Sequence, residues 1–206
     1  MIGSTARTYV SLCGLAVVLF LAGCSGTSEV APTPSVTVGG KTFSGPWASD
    51  FAQQYNRSSS DFVKEILRDG KITDAEFAEV TEKYKACLKA AGITFQGQRP
   101  DGSTDIFFPN GVSAEDGNQK ADVCGRESGE DAVGGLYFAQ QRNPKHLDEA
   151  TIVSACLVKK QVVPRGYDAR DYAKDSPRRD FPFTDPSRGE AALDECMSDP
   201  LGLQNQ

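Results

Sequence analysis

The chain is predicted to be an α+β protein, mainly helical, built as two small disulfide-stapled helix–hairpin/loop–helix modules after a flexible tether. Three observations predict this. Two segments carry apolar residues at helical spacing: Phe77, Val80, Tyr84, Cys87, Leu88 and Ala91 in one, Ile152, Val153, Cys156 and Leu157 in the other. Two alternating runs, Ile93/Phe95 and Ile106/Phe108, flank the turn signal Pro100-Asp101-Gly102 and predict a β-hairpin. The third observation is a weak internal repeat. Each helix carries Ala-Cys-Leu (Ala86-Cys87-Leu88, Ala155-Cys156-Leu157), then an irregular or hairpin stretch, then a short helix ending in Cys124 or Cys196.

At the N-terminus, Arg7 precedes an apolar run, Tyr9–Ala22, that is too short for a comfortable membrane span and has the layout of a signal h-region. The run ends in Leu21-Ala22-Gly23-Cys24. A small-residue site ending in Cys at this place resembles the lipobox of bacterial lipoproteins. The resemblance implies that residues 1–23 are a cleaved signal peptide. It also implies that Cys24 becomes an acylated N-terminus, its palmitate-type chains holding the protein on the outer face of the cell membrane. Two acyl chains meet the requirement for stable anchoring.

Export changes the meaning of the six cysteines. Cys13 leaves with the signal and lipid takes Cys24, so Cys87, Cys124, Cys156 and Cys196 remain. An even set in an oxidising compartment predicts two disulfides. The repeat favours Cys87–Cys124 and Cys156–Cys196, and pairing between the two Ala-Cys-Leu helices is the competing arrangement.

The full chain has 22 Lys and Arg against 28 Asp and Glu. Loss of Arg7 with the signal leaves 21 against 28, a formal charge of −7. Such a surface argues against nonspecific nucleic-acid binding, which needs clustered cations. It also argues against electrostatic docking on anionic lipid, leaving attachment to the acyl chains.

Residues 24–44 are expected to be the tether, with Ala31-Pro32-Thr33-Pro34 favouring extended backbone and Val36, Val38 and Phe43 around Gly39-Gly40 a short strand or turn. Gly39-Gly40-Lys41-Thr42 looks like the end of a phosphate loop. The pattern fails, because position 35 is Ser and Gly45-Pro46 interrupts the helix that should follow. Residues 45–126 form the first helical region. Trp47, Phe51 and Tyr55 lie on one face of a helix over 47–56, Ser59 or Ser60 caps a second to Leu67, and Thr73 with Glu76 makes a capping box for a third to about Ala91. The stretch 69–77 resembles the second half of an EF-hand loop, but that register puts Leu67 at a ligand position. Ser113 caps a short helix from Ala114 to about Cys124.

Residues 127–146 are expected to be a connector broken at Gly134-Gly135. Residues 147–200 form the second module: a helix over 147–160, an irregular aromatic stretch over 165–186, and a last helix, Ala191 to Cys196, behind a Ser187/Glu190 capping box. Residues 201–206 are expected to be a disordered tail.

The order of Gly45-Pro46-Trp47, Ser60-Asp61-Phe62-Val63, Asp69-Gly70-Lys71-Ile72-Thr73, Tyr84-Lys85-Ala86-Cys87-Leu88 and Asp101-Gly102-Ser103 behind a lipobox resembles a group of poorly characterised secreted lipoproteins of high-GC Gram-positive (actinobacterial) bacteria. The resemblance implies extracytoplasmic location and disulfides, and hands over no catalytic residues.

No segment reaches motif grade for a catalytic, cofactor or metal site. The single histidine, His146, sits in a loop beside Pro144 and Lys145, and acid pairs such as Glu130/Asp131 and Asp148/Glu149 are ordinary on solvated loops and helix starts. The favoured expectation is a non-enzymatic binding or interaction domain whose partner is an envelope protein or a wall polymer. A hydrolase with a carboxylate-lined cleft is the alternative. The candidate binding surface is Tyr167, Arg170, Tyr172, Arg178, Arg179, Phe181 and Phe183, because aromatics and Arg are enriched at interfaces. The same aromatics suit better still a role as apolar anchors beneath an irregular segment, which needs such anchors of its own.

Overall fold

The computed structural model describes residues 33–99 and 101–204. Over these residues the protein is mainly helical, with two small two-stranded antiparallel sheets and two disulfides. The expectations for the signal peptide, Cys24 and the tether up to residue 32 lie outside the described residues.

The first sheet pairs β1 (Ser35–Val38) with β2 (Lys41–Ser44), Val36 opposite Phe43. Gly39 and Gly40 both have positive φ, as a tight two-residue hairpin turn requires. This corrects the 24–44 tether: its last ten residues fold. Phe43 is fully buried and meets the Tyr55 ring at 5.5 Å, so one apolar side chain draws the hairpin onto the helices.

Three helices follow as expected, within a residue or two: α1 (Ala48–Arg57), α2 (Asp61–Leu67) and α3 (Asp74–Ala90). Ser60 Oγ caps α2 by accepting from the Val63 N–H. Thr73 and Glu76 exchange both bonds of a capping box at α3, which occupies the carboxylate that an EF-hand would need as its twelfth ligand. At the C-terminus of α3, Ile93 N–H bonds back to Leu88 and Gly92 N–H to Lys89, which satisfies carbonyls the helix leaves open.

β3 (Thr94–Gln98) and β4 (Thr104–Phe107) form the expected hairpin, with a bulge between Phe95 and Gly97. A bidentate Arg99–Asp105 pair bridges its strands. Helix α4 (Ala114–Ser128) starts at the Ser113 cap and runs past Cys124.

The largest departure from expectation is the connector. Residues 130–142 form helix α5 (Glu130–Arg142), packed against α2, α3 and α4, with Val133 and Leu136 in the same core as Phe43, Phe51, Leu67 and Val80. Gly134 and Gly135 each weaken a helix by roughly 1 kcal/mol relative to Ala. Burying Val133 and Leu136 returns about 1.5–3 kcal/mol per side chain, so packing overrides propensity. Gly134 is also where two groups meet closely: a Cβ there would lie 2.5 Å from Glu130 Oε1.

A second cluster joins α3, α4 and the β3–β4 hairpin through Tyr84, Leu88, Ile93, Ala121 and Cys124. The third belongs to α6 (Glu149–Lys159), α7 (Ala169–Asp175) and α8 (Pro186–Ser198), around Val153, Leu157, Tyr167, Tyr172 and Leu193. Two details correct expectation here. The stretch 165–186 holds α7 and a 3₁₀ turn at Ser176–Arg178. The cap of α8 is Asp185, which accepts from the N–H groups of Ser187 and Arg188, with Pro186 at the first helical position. Glu190 is engaged by Arg179 instead of closing a box with Ser187.

Cys87 is bonded to Cys124, joining α3 to α4, and Cys156 to Cys196, joining α6 to α8. The tail expected to be disordered is tied down as far as residue 204: the N–H groups of Leu203 and Gln204 both donate to Asp199.

Candidate functional site

The stretch nominated as a binding surface does not expose its four aromatic rings together. Tyr167 and Tyr172 are only 7% and 8% exposed and belong to the third core. Phe181 and Phe183 are half-buried, stack at 5.5 Å and pack on that core, with Tyr172 5.8 Å from Phe181. The arginines point outward. Arg170 bonds to Asp168, Arg179 reaches Glu190 and Asp194, and Arg178 is exposed. A segment with so little regular backbone pairing needs side-chain anchors, and these four rings supply them.

His146 and an acid do come together. In the turn after α5 the imidazole lies edge-on to Trp47 at 4.0 Å, and its Nε2 is 3.5 Å from Asp50 Oδ2. The side chain is 43% exposed. Below it, Trp47 Nε1 donates to the Asn143 carbonyl, and buried Asn143 accepts from Leu147 N–H and donates to the Leu147 carbonyl. The group fastens the end of α5 to the start of α1, and no hydroxyl or thiol hydrogen-bonds to the imidazole among the described residues.

A more complete constellation lies at the turn from α4 to α5. Gly129, at φ +87°, links the two helices directly. A Cβ there would meet Val63 Cγ2 at 2.5 Å, so the turn can press against α2 only as glycine. The contact leaves a cleft of about 340 Å³, lined on one side by Arg57 and Ser58, Ser59 and Ser60 between α1 and α2, and on the other by Arg126 and Asp131. Among the described residues neither Arg57 nor Arg126 makes an ion pair. Ser58 and Ser60 are held by backbone bonds. Asp131 is pushed above the usual carboxylate range by burial, with Arg126 opposing the shift. Two guanidinium groups line one concavity with the Ser59 and Ser60 hydroxyls and the Asp131 carboxyl, a mixed polar lining that suits a ligand rich in hydroxyl and anionic oxygen.

Immediately behind this wall is a residue that sequence reasoning misplaced. Glu130, grouped above with solvated acids, is only 9% exposed. Its Oε1 accepts from Gln98 Nε2 of β3 at 2.6 Å, and its Oε2 is buried without a hydrogen-bond partner. Burial, reinforced by the neighbouring Asp131 charge and opposed by the Gln98 bond, pushes the carboxyl up to about 7. Tyr84 is raised by the same burial and by the acids around it, Glu130, Asp131 and Asp122. Glu130 does not line the cleft. Two adjacent carboxyls therefore face different surroundings, and a facing pair across the cleft is not formed. The only hint in the sequence was that Glu130 precedes Val133 and Leu136 at helical spacing.

Compared with protein-family models, with curated proteins and with solved structures, the chain matches none.

Proposed function

We propose that this chain is an extracytoplasmic lipoprotein, held on the outer face of the cell membrane by acyl chains on Cys24, whose two Cys-stapled modules serve as a non-enzymatic binding domain for an envelope component. The ligand class favoured is a wall polymer bearing hydroxyl and anionic groups. The observation that carries this reading is the cleft at the α4–α5 turn, lined by Arg57 and Arg126 together with Ser58, Ser59 and Ser60. In an acidic chain, guanidinium groups gathered at one concavity offer a local attraction that the overall charge does not. Two disulfides fit an oxidising compartment. Among the described residues no helix is long and apolar enough to cross a membrane, so in this reading attachment falls to the lipid.

The test has two arms. Fatty-acid labelling of cells expressing the full chain is expected to mark the wild type, while Cys24→Ala is unlabelled and leaves the membrane fraction. Binding of the purified protein to isolated wall polymer is expected to weaken at least tenfold in the Arg57→Ala/Arg126→Ala variant. Equal binding by that variant would remove the cleft from the proposal, and absence of labelling would remove the anchor.

A further inference from the structure

Glu130 is the one buried carboxyl in the described residues that has an oxygen without a partner, and its position joins two elements that make few other contacts. The β3–β4 hairpin leans along α5 at two places. Gln98 meets Glu130 near the start of the helix, and the Gly102 turn packs on the Phe138 ring, with a Cβ there 3.0 Å from the ring. Gly134, lying between, gives the carboxyl room.

We infer that Glu130 is a proton-operated latch for the β3–β4 hairpin: as a neutral acid it holds Gln98 and keeps the hairpin seated on α5, and on ionisation it needs water and lifts the hairpin away. The inference does not rest on the proposed function.

The geometry favours the neutral acid in the closed state. A primary amide turned about its own axis offers its carbonyl to a carboxylic O–H, whereas the N–H it donates to a carboxylate does not offset the cost of burying the charge. The surroundings offer a negative charge nothing else. The ionisable groups around it are Asp131 on its own helix and Tyr84 on α3, with Asp122 of α4 beyond, all anionic or neutral. From β3 it meets the uncharged Gln98, and Arg126 of α4 acts on Asp131. A buried carboxylate lacking a cation must be paired, protonated or exposed. Its folded-state midpoint near 7 places the change where compartments differ in acidity. The Gln98 end of the hairpin is the part able to yield: the rest packs on α3 and α4 through Phe95 and Ile106, and a two-stranded hairpin that loses part of its packing is marginal in water, so its strand bonds then open.

The test is amide hydrogen exchange on the full, disulfide-intact protein between pH 5.5 and 8.5, corrected for intrinsic exchange. The wild type is expected to lose about tenfold or more of protection at Phe95 and Ile106 as pH rises through 7, while Val133 and Leu157 amides keep theirs. Glu130→Gln, which preserves shape and removes the proton, is expected to give hairpin protection independent of pH. Gln98→Ala should give low hairpin protection at every pH, with the cores unchanged. Wild-type hairpin protection that does not vary with pH would overturn the latch. So would an unchanged pH response in Glu130→Gln, or loss of hairpin and core protection together.

Discussion

The α4–α5 turn rests on one contact, and Gly129→Ala tests it. The substitution has two costs. A non-glycine residue at φ +87° is strained by about 1–2 kcal/mol. The new methyl would also sit 2.5 Å from Val63 Cγ2. Val63 is buried and β-branched, so it cannot swing aside, and forced overpacking of this kind costs about 1–3 kcal/mol. Together the variant is expected to lose about 2–5 kcal/mol, a large share of the stability of a domain this size. Urea unfolding followed by circular dichroism reads the loss as a lower midpoint at unchanged slope. The steric part can be isolated. Val63→Ala alone is expected to cost about 2 kcal/mol, and combining it with Gly129→Ala should recover about 1–2 kcal/mol of the sum, because the clash is gone. Strict additivity would refute the contact with Val63 and leave only backbone strain. A loss below about 1 kcal/mol would refute the left-handed turn as well.

Two further outcomes concern global stability. Glu130 has a folded midpoint of about 7 against an unfolded value near 4.3, so its folded state holds the proton more tightly. The stability it contributes is complete below about pH 4 and is lost as pH rises through 7; allowing for partial solvent screening, the loss is about 2 kcal/mol. Chemical unfolding at pH 5 and 8.5 should show that slope in the wild type and a flatter one in Glu130→Gln, with equal slopes counting against the buried carboxyl. Replacing both Cys156 and Cys196 by Ser opens a loop of 40 residues and is expected to lower stability by about 4 kcal/mol on the chain-entropy account. A loss under 1 kcal/mol in urea unfolding would mean that α6 and α8 hold together through Val153, Leu157 and Leu193 alone.

Much of the fold was legible because its signals are local. Ser60, Thr73 and Ser113 mark helix starts by accepting from N–H groups three residues on, and such bonds depend on neighbours in the chain only. The candidate site was far less legible. Arg57 and Asp131 are 74 positions apart and line one cleft because α1 and α2 pack on α5, which no window of sequence displays. The stretch 165–183 misled because aromatics beside arginines look the same whether the rings face water or a core.

The sequence by itself determined the extents of α1, α2 and α3, the turn of the β3–β4 hairpin, and the cysteine spacings that match the bonded pairs, all matters of capping, periodicity and turn chemistry within short reach. Only the tertiary structure decided that Gly134-Gly135 lie inside a helix, that Phe43 pulls a hairpin into the core, that Tyr167 and Tyr172 turn inward, and that Glu130 is buried while Asp131 lines a cleft. Each of these is settled by burial against residues far away in the chain. That energy, a few kcal/mol per side chain, exceeds the local preferences that pointed elsewhere.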